Sequence, residues 1–258
     1  MSTSGPDSRS RWRVALTRDE ASDRSLRAAL VDSGFEPVSC VVMEEEPPAD
    51  PTALGEAALT LERYDWVVFA SARSVRALLR ARGTAWPKGI RTAAVGPQTA
   101  KALVEAGADP PPVVADLEGA DALWNVLKGL EDWAARRVLV PTVPGGLQIL
   151  ATQLRNAGAR VHEVEAYRMS PRPEQFVRAD WAAAEPDAVV IVSPSGGHAL
   201  VRAIGAETLN RVCAVVSIGP TTSSALSALG VVHTTAPRSQ ASEVARHLTR
   251  IRAAHGPI

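Results

Sequence analysis

Short runs of β-branched residues alternate along the chain with alanine- and leucine-rich stretches whose apolar positions recur at helical spacing. That alternation predicts parallel strands joined by crossover helices, an α/β fold. Val14-Ala15-Leu16 reads as a first strand, and Leu26, Ala29, Leu30 and Phe35 follow as one face of a helix stopping near Gly34. Val67 to Phe69 predicts the next buried strand, followed by a helix through Val75, Leu78 and Leu79. Thr92 to Val95 predicts a third, after which Gly96-Pro97-Gln98-Thr99 opens a helix running to Gly107. Tyr64 and Trp66 before a strand, and Trp124, Trp133 and Trp181 among helical neighbours, are expected to pack rather than to bind. No apolar run reaches the roughly 18 residues that a membrane helix needs, so no membrane partner is expected.

The second half of the chain repeats the first. Val14 to Gly34 matches Val138 to Gly158 with a common shift, pairing Leu26 with Leu150 and Leu30 with Leu154. Val67-Val68-Phe69-Ala70-Ser71 matches Val189-Val190-Ile191-Val192-Ser193. Ala94-Val95-Gly96-Pro97-Gln98-Thr99 matches Ser217-Ile218-Gly219-Pro220-Thr221-Thr222, and Gly107 falls on Gly230. Three segments in one order at a near-constant offset read as an internal duplication.

The boundary between such halves has two readings. The polar stretch Glu131 to Arg136 is the place for a sequential split. Phe35 to Met43 and Val161 to Met169 are both extended-looking segments directly after a helix-ending glycine. If each leaves one half and enters the other, the middle of the chain forms one domain, the two ends form the second, and two antiparallel strands join them. Pattern leaves both arrangements open. Glu44 to Pro51 and Pro110 to Pro112 are expected as surface loops under either.

Composition narrows the partners. The 258 residues, 46% hydrophobic, suffice for one large or two ordinary domains. Twenty-eight basic residues balance twenty-eight acidic ones, so there is no long-range field to hold nucleic acid. Cys40 and Cys213 are too far apart for metal-ligand spacing, and free thiols in a reducing compartment are expected. Met1 to Arg13 is polar, resembles neither a secretory signal nor a membrane anchor and reads as a frayed tail, so a cytoplasmic location is expected.

Candidate chemistry is sparse. There is no Walker loop, no GxGxxG after the first strand, no nucleophile elbow and no close His or Cys pair, so no cofactor and no metal is expected. The five histidines are dispersed, and none is assigned a role. What remains is a set of glycines and hydroxyls at predicted strand C-terminal ends, where open α/β sheets bind ligands. Gly96-Pro97-Gln98-Thr99 and Gly219-Pro220-Thr221-Thr222 each set a glycine before a helix start with free N–H groups, which attracts anions. Either is also a good helix cap. Ser71, Ser193 and Ser195 at the neighbouring strand ends can donate to a carboxylate or cap the helix that follows. Thr17-Arg18 follows the first strand and belongs to the candidate substrate-binding set, where the Arg18 guanidinium can reach a carboxylate or simply lie on the surface. Tyr167, one of two tyrosines, sits in the second extended segment, where its phenol can pack or donate a proton.

The ordered set Val14-Ala15-Leu16-Thr17-Arg18, Phe69-Ala70-Ser71, Ala94-Val95-Gly96-Pro97-Gln98-Thr99, Val164-Glu165-Ala166-Tyr167-Arg168, Val192-Ser193-Pro194-Ser195 and Ser217-Ile218-Gly219-Pro220-Thr221-Thr222 resembles the uroporphyrinogen-III synthase family from about Arg13 to Leu248. The resemblance implies two similar doubly wound parallel-sheet domains joined by a two-stranded β-ladder. Residues 1–38 with 168–258 would then form one domain and 42–163 the other, with 36–43 and 162–169 as linker strands. It implies that a monomer binds hydroxymethylbilane in a cleft between domains. The substrate loses its terminal hydroxyl as water and closes with inversion of its last pyrrole ring through a spiro intermediate. Tyr167 matches the family tyrosine that assists loss of the hydroxyl, and Ser71, Thr99, Ser193, Ser195 and Thr222 match polar positions lining the cleft.

There are departures from the family pattern. Pro141-Thr142-Val143-Pro144-Gly145-Gly146 lacks an arginine-and-glycine pattern, Gly196-Gly197 replaces a small-then-branched pair, and Ala70-Ser71-Ala72-Arg73 is a loose version of its motif. Because fold does not fix function, a non-catalytic module that binds a tetrapyrrole or another polyanion is the competing reading. A periplasmic-type small-molecule binder is disfavoured by the absence of an export signal.

Overall fold

A computed structural model describes residues 11–19, 23–109, 113–114, 120–212 and 214–255. Its strands are β1 (Arg13–Leu16), β2 (Glu36–Ser39), β3 (Met43–Glu46), β4 (Trp66–Phe69), β5 (Arg91–Ala94), β6 (Val113–Val114), β7 (Arg137–Thr142), β8 (Arg160–Glu165), β9 (Arg168–Pro171), β10 (Ala188–Ile191), β11 (Ala214–Ser217) and β12 (Thr234–Thr235). The helices are α1 (Arg24–Asp32), α2 (Pro51–Leu59), α3 (Ala72–Arg82), α4 (Pro97–Glu105), α5 (Ala120–Leu127), α6 (Gln148–Asn156), α7 (Glu174–Ala184), α8 (Pro194–Ile204), α9 (Ala206–Leu209), α10 (Pro220–Ala228) and α11 (Ala241–His255). Cys213, the loop expected at Pro110 to Pro112 and the first ten residues of the expected tail lie outside the described residues.

The chain divides into two compact units, one made of the residues through Glu44 together with those from Ser170 onward, the other of Glu45–Met169. The two ends of the chain thus share a unit, and Glu131 to Arg136 falls inside the other one rather than at a boundary. The first unit holds a sheet of order β12-β11-β10-β1-β2, the second a sheet of order β6-β5-β4-β7-β8. Every neighbour in both sheets is parallel. With β1 laid on β7 and β10 on β4 the two orders coincide. The register coincides as well, since Val14 pairs with Ala188 and Val138 with Trp66. The duplication therefore extends to individual residue pairs.

Parallel strands joined by crossover helices are covered on both faces, which is why their sequences are apolar without interruption. In β10, Ala188 and Val190 join Leu26, Leu30 and Leu248 on one side, while Val189 and Ile191 join Leu200 and Leu226 on the other. In β4, Trp66 and Val68 pack with Leu123, Leu150 and Leu154, and Val67 and Phe69 with Leu54, Leu78 and Leu103. Each fully buried Val, Leu or Phe contributes roughly 1.5–3 kcal/mol. The helices stop where the repeat predicts, at Gly34 and Gly158 (φ +78° and +92°) and at Gly107 and Gly230 (φ +85° and +73°). That conformation is open to glycine and costs other residues.

Some expectations require correction. The two-stranded ladder is β3 with β9, later in the chain than the expected linker strands 36–43 and 162–169. Residues 36–39 are instead the edge strand beside β1, and 160–165 the edge strand beside β7, because each continues directly from a helix into the nearest open sheet edge. Met43–Glu46 is consequently a strand and Pro51 the first residue of a helix, so Glu44 to Pro51 is not one loop. The expected tail is structured at its end. Trp12 is buried in the core, its ring edge-on to His255, and Arg13 begins β1.

The two helix-ending glycines of the repeat separate backbone strain from crowding. A Cβ on Gly34 meets only the end of Arg252, whereas one on Gly158 comes within 3.2 Å of Ala134 Cα. Gly34→Ala is expected to cost about 1 kcal/mol and Gly158→Ala about 2–3 kcal/mol, read from urea unfolding. Equal losses would remove the close approach at Ala134 as a constraint.

Candidate active site

In each sheet one pair of neighbouring strands sends its connections in opposite directions, the switch point at which open α/β sheets leave a crevice beyond their C-terminal ends. In the second unit that pair is β4 and β7, in the first it is β10 and β1. Ser71 lies just past β4, Ser193 just past β10, and Thr17-Arg18 follow β1. The strand-end residues picked from sequence therefore flank the switch points. Gly96 and Gly219 follow one strand further out, past β5 and β11.

In the second unit, Ser71 is the N-cap of α3 (φ −151°, ψ 152°), and its Oγ accepts from the Ser74 N–H at 3.2 Å. The same Oγ lies 3.1 Å from Ser74 Oγ and 3.2 Å from Tyr167 Oη. Tyr167 is not in a crossing strand. It occupies the short connection between β8 and β9, where the Ala166 N–H donates to the Thr142 carbonyl at 2.7 Å. Around that connection Arg168 grips Glu165 with two hydrogen bonds, Nε to Oε1 at 2.7 Å and Nη2 to Oε2 at 3.0 Å. The bond from Arg168 holds the Glu165 carboxyl below the usual carboxylate range. A depressed carboxylate contributes stability above its unfolded pKa and loses it only as pH falls through the lower folded value, so the clamp is intact at neutral pH. Tyr167 is only 8% exposed, and it lines a cavity of about 500 Å³. The rest of the lining includes Leu54, Ala77, Ala166, Pro47, Pro48 and the charged Glu45, Glu46 and Arg80. Glu45 is paired with Arg73 at 3.3 Å and with Arg80 at 3.2 Å.

The first unit repeats the cap. Ser193 (φ −152°, ψ 153°) accepts from the Gly196 N–H at 3.1 Å and lies 3.3 Å from the Oγ of exposed Ser195. A Cβ on Gly197 would come within 3.1 Å of Leu226, so that glycine serves the packing of α8 against α10. Arg18 is half exposed and anchored to Asp23, with Nε donating to Oδ1 at 2.8 Å and Nη2 2.6 Å from the same oxygen. Asp23, whose side chain is fully buried, has no sequence signal beyond its place before a helix. Thr17 departs from the expected binding role. It is 1% exposed and its hydroxyl donates to the Val190 carbonyl at 3.2 Å, which fastens β1 to β10.

Gly96 and Gly219 are extended (φ −155° and −174°), a conformation available to any residue, and neither N-cap supplies a side-chain bond. A Cβ on Gly219 would meet nothing within 4 Å. Neither φ nor packing thus requires glycine at 219, and the open space above the α10 start is what the missing side chain preserves. Thr99 and Thr222 are both 4% exposed, so in this conformation each helix start offers its backbone more than its threonine hydroxyl.

Chemically, each rim offers neutral donors at helix starts, suited to carboxylates, and the first unit adds the guanidinium of Arg18. The phenol of Tyr167 is the group among them suited to proton transfer. Among the described residues no group of three or more His, Cys, Asp and Glu could hold a metal ion, and no helix is long and apolar enough to cross a membrane.

A family model described as uroporphyrinogen-III synthase HemD matches residues 24–245. A uroporphyrinogen-III synthase of Synechococcus elongatus is 28% identical, covering 81% of this chain and 83% of its own length. Among solved structures, a mutant uroporphyrinogen III synthase of Thermus thermophilus is 21% identical, covers 93% of this chain and 98% of its own, and has a TM-score of 0.56. The uroporphyrinogen-III synthetase of Helicobacter pylori is 18% identical, with 94% and 100% covered and a TM-score of 0.61. At those identities the structural likeness speaks for the fold.

Two substitutions divide ligand binding from folding in the first unit. Gly219→Ala is expected to leave the stability within about 0.5 kcal/mol of the parent while weakening calorimetric binding of a polycarboxylate tetrapyrrole. Unchanged affinity would take the α10 start out of the site. Arg18→Ala leaves the buried Asp23 carboxylate without its cation, so it is expected to lower both affinity and stability, the latter by about 1–3 kcal/mol in denaturant titration. Full stability would mean that Asp23 finds another partner.

Proposed function

We propose, since the chain belongs to the uroporphyrinogen-III synthase family and so acts in tetrapyrrole biosynthesis, that it cyclises hydroxymethylbilane to uroporphyrinogen III with Tyr167 assisting departure of the hydroxyl. The observation that carries this reading is the placement of the Tyr167 phenol 3.2 Å from the cap serine at the β4 switch point. The electron-rich pyrroles of the substrate expel the hydroxyl once it is protonated or hydrogen-bonded, so one weak acid suffices. The phenol gives its proton to the departing oxygen, which leaves as water, and a proton returns to it when the closed ring system regains aromaticity.

Geometry is the harder task. The bilane also closes without enzyme to the uninverted isomer, so the protein must hold the last pyrrole ring for attack by its substituted carbon, which forms the spiro intermediate. Ser193, Ser195, Arg18 and the backbone of Gly219 and Gly96 are the groups assigned to the substrate's eight carboxylates. Ser71 acts on Tyr167, and Thr99 and Thr222 contribute through the helix starts they belong to. Thr17 is left to the sheet.

The test is isomer analysis by chromatography after incubating purified protein with freshly generated hydroxymethylbilane and oxidising the products to porphyrins. Predominant type III isomer is expected, against type I in the protein-free control. Type I alone from folded protein would make the chain a tetrapyrrole-binding module instead. Tyr167→Phe is expected to slow type III formation several-fold or more with the fold intact, and parental turnover would remove the tyrosine from the chemistry.

A further inference from the structure

We infer that Ser74, which lies outside the strand-end set, fixes the direction of a hydroxyl chain so that Tyr167 accepts a hydrogen bond from Ser71 and turns its own proton outward. The inference rests on the reading of Tyr167 as proton donor. It makes Ser74 a positioning residue that acts through Ser71.

Ser74 sits in the first turn of α3 and is 1% exposed. Its Oγ has one hydrogen-bond partner among the described residues, Ser71 Oγ at 3.1 Å. Ser71 Oγ also receives the Ser74 N–H and lies 3.2 Å from Tyr167 Oη. A serine hydroxyl has one proton and two lone pairs, so these contacts can be shared in two ways.

In the first, Ser71 gives its proton to Ser74. Both lone pairs of Ser71 then take the Ser74 N–H and the Tyr167 O–H, the phenol donates inward, and the buried Ser74 proton has no acceptor. In the second, Ser74 gives its proton to Ser71. The lone pairs of Ser71 are filled by the N–H and O–H of Ser74, so its own proton goes to Tyr167 Oη. Buried donors are almost always satisfied, which selects the second arrangement. The phenol oxygen then accepts a bond from Ser71, and its own proton is turned outward toward an oxygen on the ligand. A serine three positions after a cap serine thereby sets the polarity of the acid.

Direction is readable without turnover. The chain has two tyrosines, so in a Tyr64→Phe background Tyr167 alone gives the tyrosine Fermi doublet in the Raman spectrum, whose intensity ratio reports whether the phenol oxygen accepts or donates. The parent ratio is expected to be that of an acceptor, with Ser71→Ala and Ser74→Ala both moving it toward a donor. In assays of type III formation, Ser74→Ala is expected to lower kcat several-fold with little change in KM, and to add nothing on top of Ser71→Ala. A doublet unmoved by Ser74→Ala, or losses that add in the double variant, would overturn the assignment. If Tyr167→Phe kept parental turnover while the doublet moved as expected, the bond direction would stand and the proton-donor reading would fall.

Discussion

A parallel sheet buried on both faces can offer a ligand only its ends, because the inner strands are sealed under helices and their C-termini lead into helix starts. That constraint decides what this site is made of. The groups available there are the N–H donors of the first helical turns and the residues that cap them, here Ser71, Ser193, Gly96 and Gly219. Each cap serine is partly committed, since one lone pair already takes the N–H of Ser74 or Gly196. The glycine caps bring no side chain, and at Gly219 a Cβ would meet nothing within 4 Å, so the space above α10 is open. A duplicated fold thus yields one serine cap and one glycine cap in each unit.

Duplication does not make the two rims equal. Leu16 pairs with Ser39 and Val140 with Glu163, so the repeat places Met43 at the position of Tyr167 and Cys40 at that of Val164. Cys40 is buried, and that burial, with Asp180 adding to it, pushes its thiol up to about 12, which leaves it a small apolar residue. The phenol therefore belongs to one unit. The other carries Arg18, whose guanidinium is held by a carboxylate with no exposed surface. One rim carries a phenol, the other an anchored guanidinium.

The architecture was legible because buried parallel strands are short uninterrupted runs of Val, Ala and Ile, and because the helix-ending glycines recur at fixed offsets. The ladder was misplaced for a physical reason. Residues 36–39 and 160–165 have the extended composition expected of linkers, but an edge strand of a parallel sheet has the same composition, and only pairing tells the two apart. Site positions fared likewise. A hydroxyl after a strand marks Ser71, Ser193 and Thr17 equally, yet Thr17 spends its proton on the neighbouring strand. Asp23 and Ser74 were invisible, since an acid before a helix and a serine in a first turn are ordinary capping residues until their partners are known.

A site built from a phenol, hydroxyls and backbone donors suits a substrate whose chemistry is easy and whose folding is hard. Fixed positive charges facing each carboxylate would bind the open and the closed tetrapyrrole alike, and such uniform binding does not speed the chemical step. Neutral donors gain their full strength only when the ligand's geometry matches them and water is excluded. The chain's balance of charge and the anchored arginine at the switch point of the first unit fit that division. Of the charges around the tyrosine, Glu45 is paired with Arg73 and Arg80 and Glu165 with Arg168, while Glu46 lines the same cavity. The hydroxyl hydrogen-bonded to the phenol is that of Ser71, which caps α3.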